Sequence, residues 1–195
     1  MRYRDVPFAR VLVLSGRLFR LKMRLRLLIA SRLGRRDPLT GVLSYRRIDE
    51  IRPEANIALL DMIEFRRINH AHGHQRGDEV LRNVARRLKA GLAPRRIFRV
   101  GGDEFVVEFE ALDEVAAAHF ARLIRELVRG SNISPVCVRS APWWSADAGK
   151  LGPLQARVVI NLRPVGDDPR RAYMEANAAL GSVAERRLPF VILEP

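Results

Sequence analysis

Residues 97–109 constrain this chain more than any other stretch. Ile97-Phe98-Arg99-Val100 alternates as a strand does, and Phe105-Val106-Val107-Glu108-Phe109 reads as a second strand. Gly101-Gly102-Asp103-Glu104 between them predicts a tight hairpin turn. Paired glycines in such a turn ordinarily serve only to allow positive φ. Two adjacent acids add something a bare turn does not need, because like charges side by side repel. A divalent cation would relieve that repulsion, and backbone without a Cβ would let phosphate oxygens approach.

The segment before the hairpin carries the other polar candidates. Pro38 and Gly41 make Asp37-Pro38-Leu39-Thr40-Gly41 a turn, Arg46, Arg47 and Ile48 lead into a helix, and Pro53 ends it. Ile57-Ala58-Leu59-Leu60 has the length of a buried strand, with Asp61 at its C-terminal end. A carboxylate at a strand end is well placed to hold a metal ion, although a helix cap or turn residue is the more ordinary role for a lone aspartate. Residues 65–78 read as a polar loop whose His70, His72 and His74 alternate without forming a helix face. In the same stretch the amide of Asn69 and the carboxylate of Asp78 could read the edge of a purine. A helix follows from Asp78, burying Leu81, Val84, Ala85 and Leu88 and ending at Gly91 and Pro94. After the hairpin, Asp113 caps another helix that turns Phe120, Ile124 and Leu127 inward and stops at Gly130.

Gly101-Gly102-Asp103-Glu104-Phe105 resembles the signature of the GGDEF family, diguanylate cyclases that join two GTP molecules into cyclic di-GMP. Asp37-Pro38-Leu39-Thr40-Gly41 with Arg46-Arg47 is similar to the family's opening motif. Leu60-Asp61-Met62, Phe65-Arg66-Arg67-Ile68-Asn69, Gly73-His74 and Gly77-Asp78-Glu79-Val80-Leu81 follow its central motif in order and spacing. The clear likeness runs from residue 37 to about 109. It implies an α+β, nucleotidyl-cyclase or palm-like fold, a mostly antiparallel sheet of ferredoxin-like βαββαβ order with helices around it. It implies that Asp61, Asp103 and the Met62 carbonyl hold Mg²⁺ or Mn²⁺, with Glu104 serving a second ion and activating the attacking hydroxyl. Asn69 and Asp78 would read guanine. Phe65 and its neighbours, with Gly101 and Gly102, would surround the phosphates, and Arg99 would lie near them. Arg66 stands where the family usually has Lys, keeping the positive charge on the triphosphate with a different geometry.

The chain departs from the family's pattern in several places. Ile63 and Glu64 occupy positions that are often Asp and an aromatic or His. Residues 92–95 are Leu-Ala-Pro-Arg, so the family's Arg-x-x-Asp product-inhibition site is not expected. Asn161-Leu162-Arg163 replaces Ser-Ile-Gly, and Gly181 and Ala184 replace a Tyr and a phosphate-binding Lys; Arg186 or Arg187 could substitute. An active homodimeric cyclase and a degenerate module that binds GTP or a protein partner are therefore both open readings. Residues 131–156, rich in Pro and Gly, read as a long irregular connection. Trp143 and Trp144 within it are read as one buried and one exposed ring, or as a partner contact.

Charge separates an arm from the body. Residues 1–36 hold 11 basic residues and one acid, whereas the remainder holds 24 against 21. A nucleic-acid binder would want a basic face on the body, so nucleic acid is not an expected partner. Val11, Leu14, Leu18, Leu21, Leu25 and Leu28 follow the 3, 4 spacing of a coiled-coil seam. The expected division is a basic N-terminal helix over 1–35 and a GGDEF domain over 36–195. Three readings of the helix stay open: self-pairing in a homodimer, peripheral contact with an anionic inner-membrane surface through Leu12, Phe19, Met23 and Leu27, or packing on its own body. The third class of function, an adaptor acting through this arm, follows from the same charge. The longest stretch free of Asp, Glu, Lys and Arg is nine residues, too short for a transmembrane helix. Cys137 alone supports neither a disulfide framework nor a cysteine zinc site, so the expected location is cytoplasmic.

Overall fold

The structure is a computed structural model that describes residues 34–131, 153–185 and 188–194. The leucine seam and most of the basic arm, the Trp143–Trp144 pair, and Arg186 and Arg187 lie outside the described residues, as do the side chains of residues 182–185.

Six strands form one sheet: β1 (Leu43–Ser44), β2 (Asn56–Met62), β3 (Ile97–Arg99), β4 (Glu104–Phe109), β5 (Ala156–Asn161) and β6 (Phe190–Leu193). Their order is β1-β3-β4-β2-β5-β6. The β3–β4, β4–β2 and β2–β5 pairings are antiparallel, and the two edge pairings are parallel. Helices α1 (Phe65–His72), α2 (His74–Gly91), α3 (Glu114–Arg129) and α4 (Pro169–Glu185) complete the fold. Read from β2 to β5, the chain has the expected βαββαβ order and the α+β, palm-like architecture. No helix among the described residues is long and apolar enough to cross a membrane.

β2 lies at the middle of the sheet and is buried on both faces, which explains its near-continuous apolar run. Ala58, Leu60 and Met62 pack with Phe105 and Val107 against Leu81, Val84 and Leu88 of α2 and Phe120 and Ile124 of α3. Ile57 and Leu59 join Val106 and Val159 on the other face, under Ala172, Ala176 and Leu180 of α4. By strand alternation, Asp61 continues the row of Ile57 and Leu59 and therefore lies on the α4 face. At α3, the Asp113 carboxylate accepts the Ala116 N–H at 2.7 Å, as an N-cap should.

Two local expectations are corrected. The helix expected near Arg46-Arg47-Ile48 is a six-residue 3-10 helix, Tyr45–Glu50. Residues 65–78 are no loop: α1 and α2 meet at Gly73, whose φ of 81° breaks the helical path. Within α1 only Phe65 is buried, so the sequence shows no wide apolar stripe, and packing against α2 holds the helix instead. His70 and His72, two apart on α1, face different directions.

Candidate functional site

The end of β2 brings distant charges into one row. Across the sheet, the Cα of Asp61 is opposite Glu104 on β4 and opposite Arg157 on β5. Directly opposed residues share a face, so two acids and one guanidinium line up beneath α4. Asp103 stands beside this row: its carbonyl accepts the Met62 N–H at 3.3 Å. The Val100 N–H donates to the Glu104 carbonyl at 3.0 Å and closes the hairpin. At Gly101 a Cβ would lie 2.3 Å from Glu104 Oε2, so a side chain there would push the carboxylate tip aside. Gly102 has open space where a Cβ would be.

The electrostatics follow from crowding like charges in a half-buried place. Burial, and then the charge of Asp103, push the Asp61 carboxyl up to about 6, against the pull of Arg157. Burial also raises Asp103, and burial with the Asp103 charge raises Glu104. Two partners from the chain relieve part of this strain. Arg157 Nη1 donates to Asp61 Oδ2 at 3.2 Å. The Tyr173 hydroxyl, on α4, donates to Glu104 Oε2 at 3.4 Å, and burial with the Glu104 charge pushes that phenol up to about 12.

Beside the row opens a cleft of about 360 Å³. Phe65, Arg66 and Asn69 of α1 form one wall with His74, Asp78 and Leu81 of α2; Arg99, Gly102 and Asp103 of the hairpin form the other. Arg99 is clamped: it pairs with Asp37 Oδ1 at 3.0 Å and donates to the Gly102 carbonyl at 2.6 Å. Its Nε is buried without a partner. Burial pulls Asp37 upward, but hydrogen bonds from Thr40 and the Arg99 charge hold it below the ordinary aspartate value. Asn69 is kept in place by Gly77, where a Cβ would come 1.9 Å from Asn69 Oδ1. Glu64 turns the chain from β2 into α1 in the left-handed region, φ 57°, at a cost on the order of 1 kcal/mol.

Seven of the sequence-derived candidates thus line the cleft: Phe65, Arg66, Asn69, Asp78, Arg99, Gly102 and Asp103. Asp61, Met62, Gly101 and Glu104 stand next to it at the sheet end and hairpin. Arg157, Tyr173 and His74 were not among the expected site residues. Among the described residues, no three carboxylate, imidazole or thiol groups are set as a closed metal cage. The hard oxygen donors of Asp61, Asp103 and the Met62 carbonyl fit Mg²⁺ or Mn²⁺ of the kind held by one or two carboxylates and completed by substrate phosphates and water.

Comparison with known proteins bears on the family and the fold. The family model described as "Diguanylate cyclase, GGDEF domain" matches residues 36–139. The chain is 39% identical over 88 residues to the "Bifunctional diguanylate cyclase/cyclic di-GMP phosphodiesterase MucR" of Pseudomonas aeruginosa, covering 43% of this chain and 13% of that protein. It is 31% identical over 84 residues to a "Diguanylate cyclase" of Vibrio cholerae, covering 43% of this chain and 26% of that one. The chain thus spans 13% and 26% of the length of these two relatives. The crystal structure of the coiled coil and GGDEF domain of DgcB from Caulobacter crescentus, in complex with c-di-GMP, shares the fold with a TM-score of 0.64, at 24% identity, over 95% of this chain and 98% of that one.

Proposed function

The chain belongs to the GGDEF-domain family of diguanylate cyclases, and from that membership we propose that it condenses two GTP molecules into cyclic di-GMP across a homodimer. The observation that carries the reading is the Asp61–Glu104 row with Asp103 at its side, Asp103 itself lining a cleft that holds an amide and a carboxylate from α1 and α2. Acids clustered and half-buried so that their pKa values rise, through burial above all, are a recurrent mark of charge chemistry.

Each residue then has a task. Guanine offers N–H donors to the Asp78 carboxylate, and the Asn69 amide can both give and accept along the same base edge. Arg66 makes no ion pair among the described residues, so its guanidinium is free to meet the triphosphate. Arg99 and the bare backbone at Gly102 border the phosphate side of the cleft. Asp61, Asp103 and the Met62 carbonyl would hold the cation, and Glu104 would take the proton of the attacking 3′-hydroxyl. Bound there, Mg²⁺ or Mn²⁺ supplies neutralisation of the triphosphate and of charge developing on the transferring phosphorus. Each 3′-oxygen forms a bond to the α-phosphorus of the facing nucleotide as that nucleotide's pyrophosphate leaves. One chain contributes one half of this arrangement, so two must face each other, and pairing of residues 1–35 would raise their effective concentration.

The test is conversion of GTP to cyclic di-GMP with Mg²⁺ over a range of protein concentrations, with specific activity expected to rise as chains pair. Absence of product at high protein concentration sinks the reading. Gly181 and Ala184, where the family carries Tyr and Lys, favour a second one, a module that binds GTP without turning it over. It requires GTP binding with no product.

Gly77→Ala tests the guanine wall. Alanine suits a helix interior better than glycine; its Cβ would strike the movable end of Asn69 and press on the Phe65 ring edge 3.1 Å away, so stability should change by about 1 kcal/mol or less. The displaced amide should weaken binding of a fluorescent GTP analogue about tenfold, the loss of one hydrogen bond to the base. Undiminished binding would remove Asn69 from base reading.

A further inference from the structure

We infer that Arg157 is the resident counter-cation of the carboxylate row, a positioning residue that a divalent ion must displace from Asp61, so that it sets how much ion the protein requires. The inference rests on the reading of Asp61 as an ion ligand.

Three observations carry it. The first is placement: Arg157 is directly opposite Asp61 in the β2–β5 register, so the strand pairing itself presents the guanidinium to the carboxylate. The second is how loosely the pair is made. A guanidinium can grip a carboxylate with two parallel N–H bonds, but here the contact is one nitrogen to one oxygen at 3.2 Å. The third is the contrast with Arg99. That guanidinium is tied at once to Asp37 and to the Gly102 carbonyl, whereas Arg157 has no second partner among the described residues. Arg157 is therefore the cation of the site that can leave at the cost of a single, partly exposed contact, with side-chain exposures of 28% for Arg157 and 23% for Asp61.

An ion entering between Asp61 and Asp103 would meet this positive charge in two ways. It competes with Arg157 for the same carboxylate oxygens, and it is repelled by the guanidinium until that side chain moves aside. Both effects weaken ion binding in the absence of nucleotide. A triphosphate arriving with the ion offers the released guanidinium a new anionic partner, so the penalty falls selectively on the ion alone. In consequence the site loads ion and nucleotide together.

The test is titration of Mn²⁺ into the full chain without nucleotide, following free Mn²⁺ by electron paramagnetic resonance. Arg157→Gln should bind Mn²⁺ about tenfold more tightly than the parent, the combined release of one weak ion pair and one nearby like charge. Arg157→Lys, which keeps the charge, should return affinity toward the parent value, a rescue that a purely structural role would not give. Asp61→Asn added to Arg157→Gln should abolish the gain. Equal or weaker binding by Arg157→Gln overturns the inference, and so does a gain that survives Asp61→Asn. If Arg157→Gln fails to fold, Arg157→Met of similar length takes its place under the same criteria. Cyclic di-GMP formation by the parent is measured in parallel. Product with no gain in Mn²⁺ affinity defeats the role of Arg157 alone, whereas no product defeats the cyclase reading.

Discussion

Asp103→Asn should reduce cyclic di-GMP formation by about a thousandfold, the scale seen when one preorganised charge is removed from a polar transition state. The substitution keeps the shape of the side chain and removes its charge. It should not reduce stability, and that asymmetry is the informative part. Asp61 is held up to about 6, from an ordinary 3.8, by burial first and by Asp103 second. An acid whose pKa is raised by folding destabilises the native state once it ionises, so this cost grows as pH rises between those two values. Without the Asp103 charge the cost shrinks. Urea unfolding in EDTA should therefore give Asp103→Asn equal or greater stability than the parent at neutral pH, and a flatter dependence from pH 4 to 6. A variant that is inactive and also unfolded would show that Asp103 acts through structure, and retained activity would remove it from the chemistry.

The second large effect is expected away from the cleft. Glu108 on β4 is 2% exposed and is met by Arg96 Nε at 2.6 Å and Arg52 Nε at 2.8 Å. Burial alone would raise this carboxyl, but the two guanidiniums outweigh it and hold it below the ordinary glutamate value of 4.5. Replacing both Arg52 and Arg96 by alanine strands a buried charge, and should cost about 3–5 kcal/mol at pH 7. The pH dependence fixes the cause. In the parent, the Glu108 contribution is present above 4.5 and fades as pH falls through its lowered native pKa. In the double variant the lone carboxyl is raised instead, so the cost appears as pH climbs above 4.5 and vanishes on acidification. The gap between the two denaturation curves should narrow as pH falls below 4.5 and close once it passes the lowered native value. A gap that is unchanged with pH would attribute the loss to packing of the arginine stems.

The parts of the fold legible in the sequence were those written in short windows. The hairpin announced itself through Gly101-Gly102 between two apolar runs, and Asp113 three residues before a bonded N–H marked the start of α3. β2 was visible because a strand buried on both faces is apolar at nearly every position. α1 was hidden for the opposite reason: with a single buried side chain, Phe65, its sequence looks like a solvated loop until α2 is laid against it. Arg157 and Tyr173 were hidden by distance. Nothing near residue 157 refers to Asp61, 96 residues earlier, and only the β2–β5 register makes them neighbours. Tyr173 lies 69 residues after the glutamate it bonds. Asp103 and Glu104 stood out from their local setting and Asp61 through the family resemblance, whereas the groups that temper these acids are products of tertiary pairing.

The first strand of the body has a mechanical consequence. β1 is only Leu43–Ser44, and it pairs with β3, which runs straight into Gly101 and Gly102. The entry of the chain is fastened to that same strand: the Ser44 hydroxyl donates to the Gly34 carbonyl, its N–H donates to the Arg35 carbonyl at 3.4 Å, and Asp37 grips Arg99. A tug or twist delivered at residue 34 thus reaches the hairpin along one rim of the sheet, through a handful of polar links, without deforming the apolar interior. Whatever is joined ahead of that residue holds a short handle on the Gly101–Gly102 turn, while cargo joined after β6 pulls on the far rim.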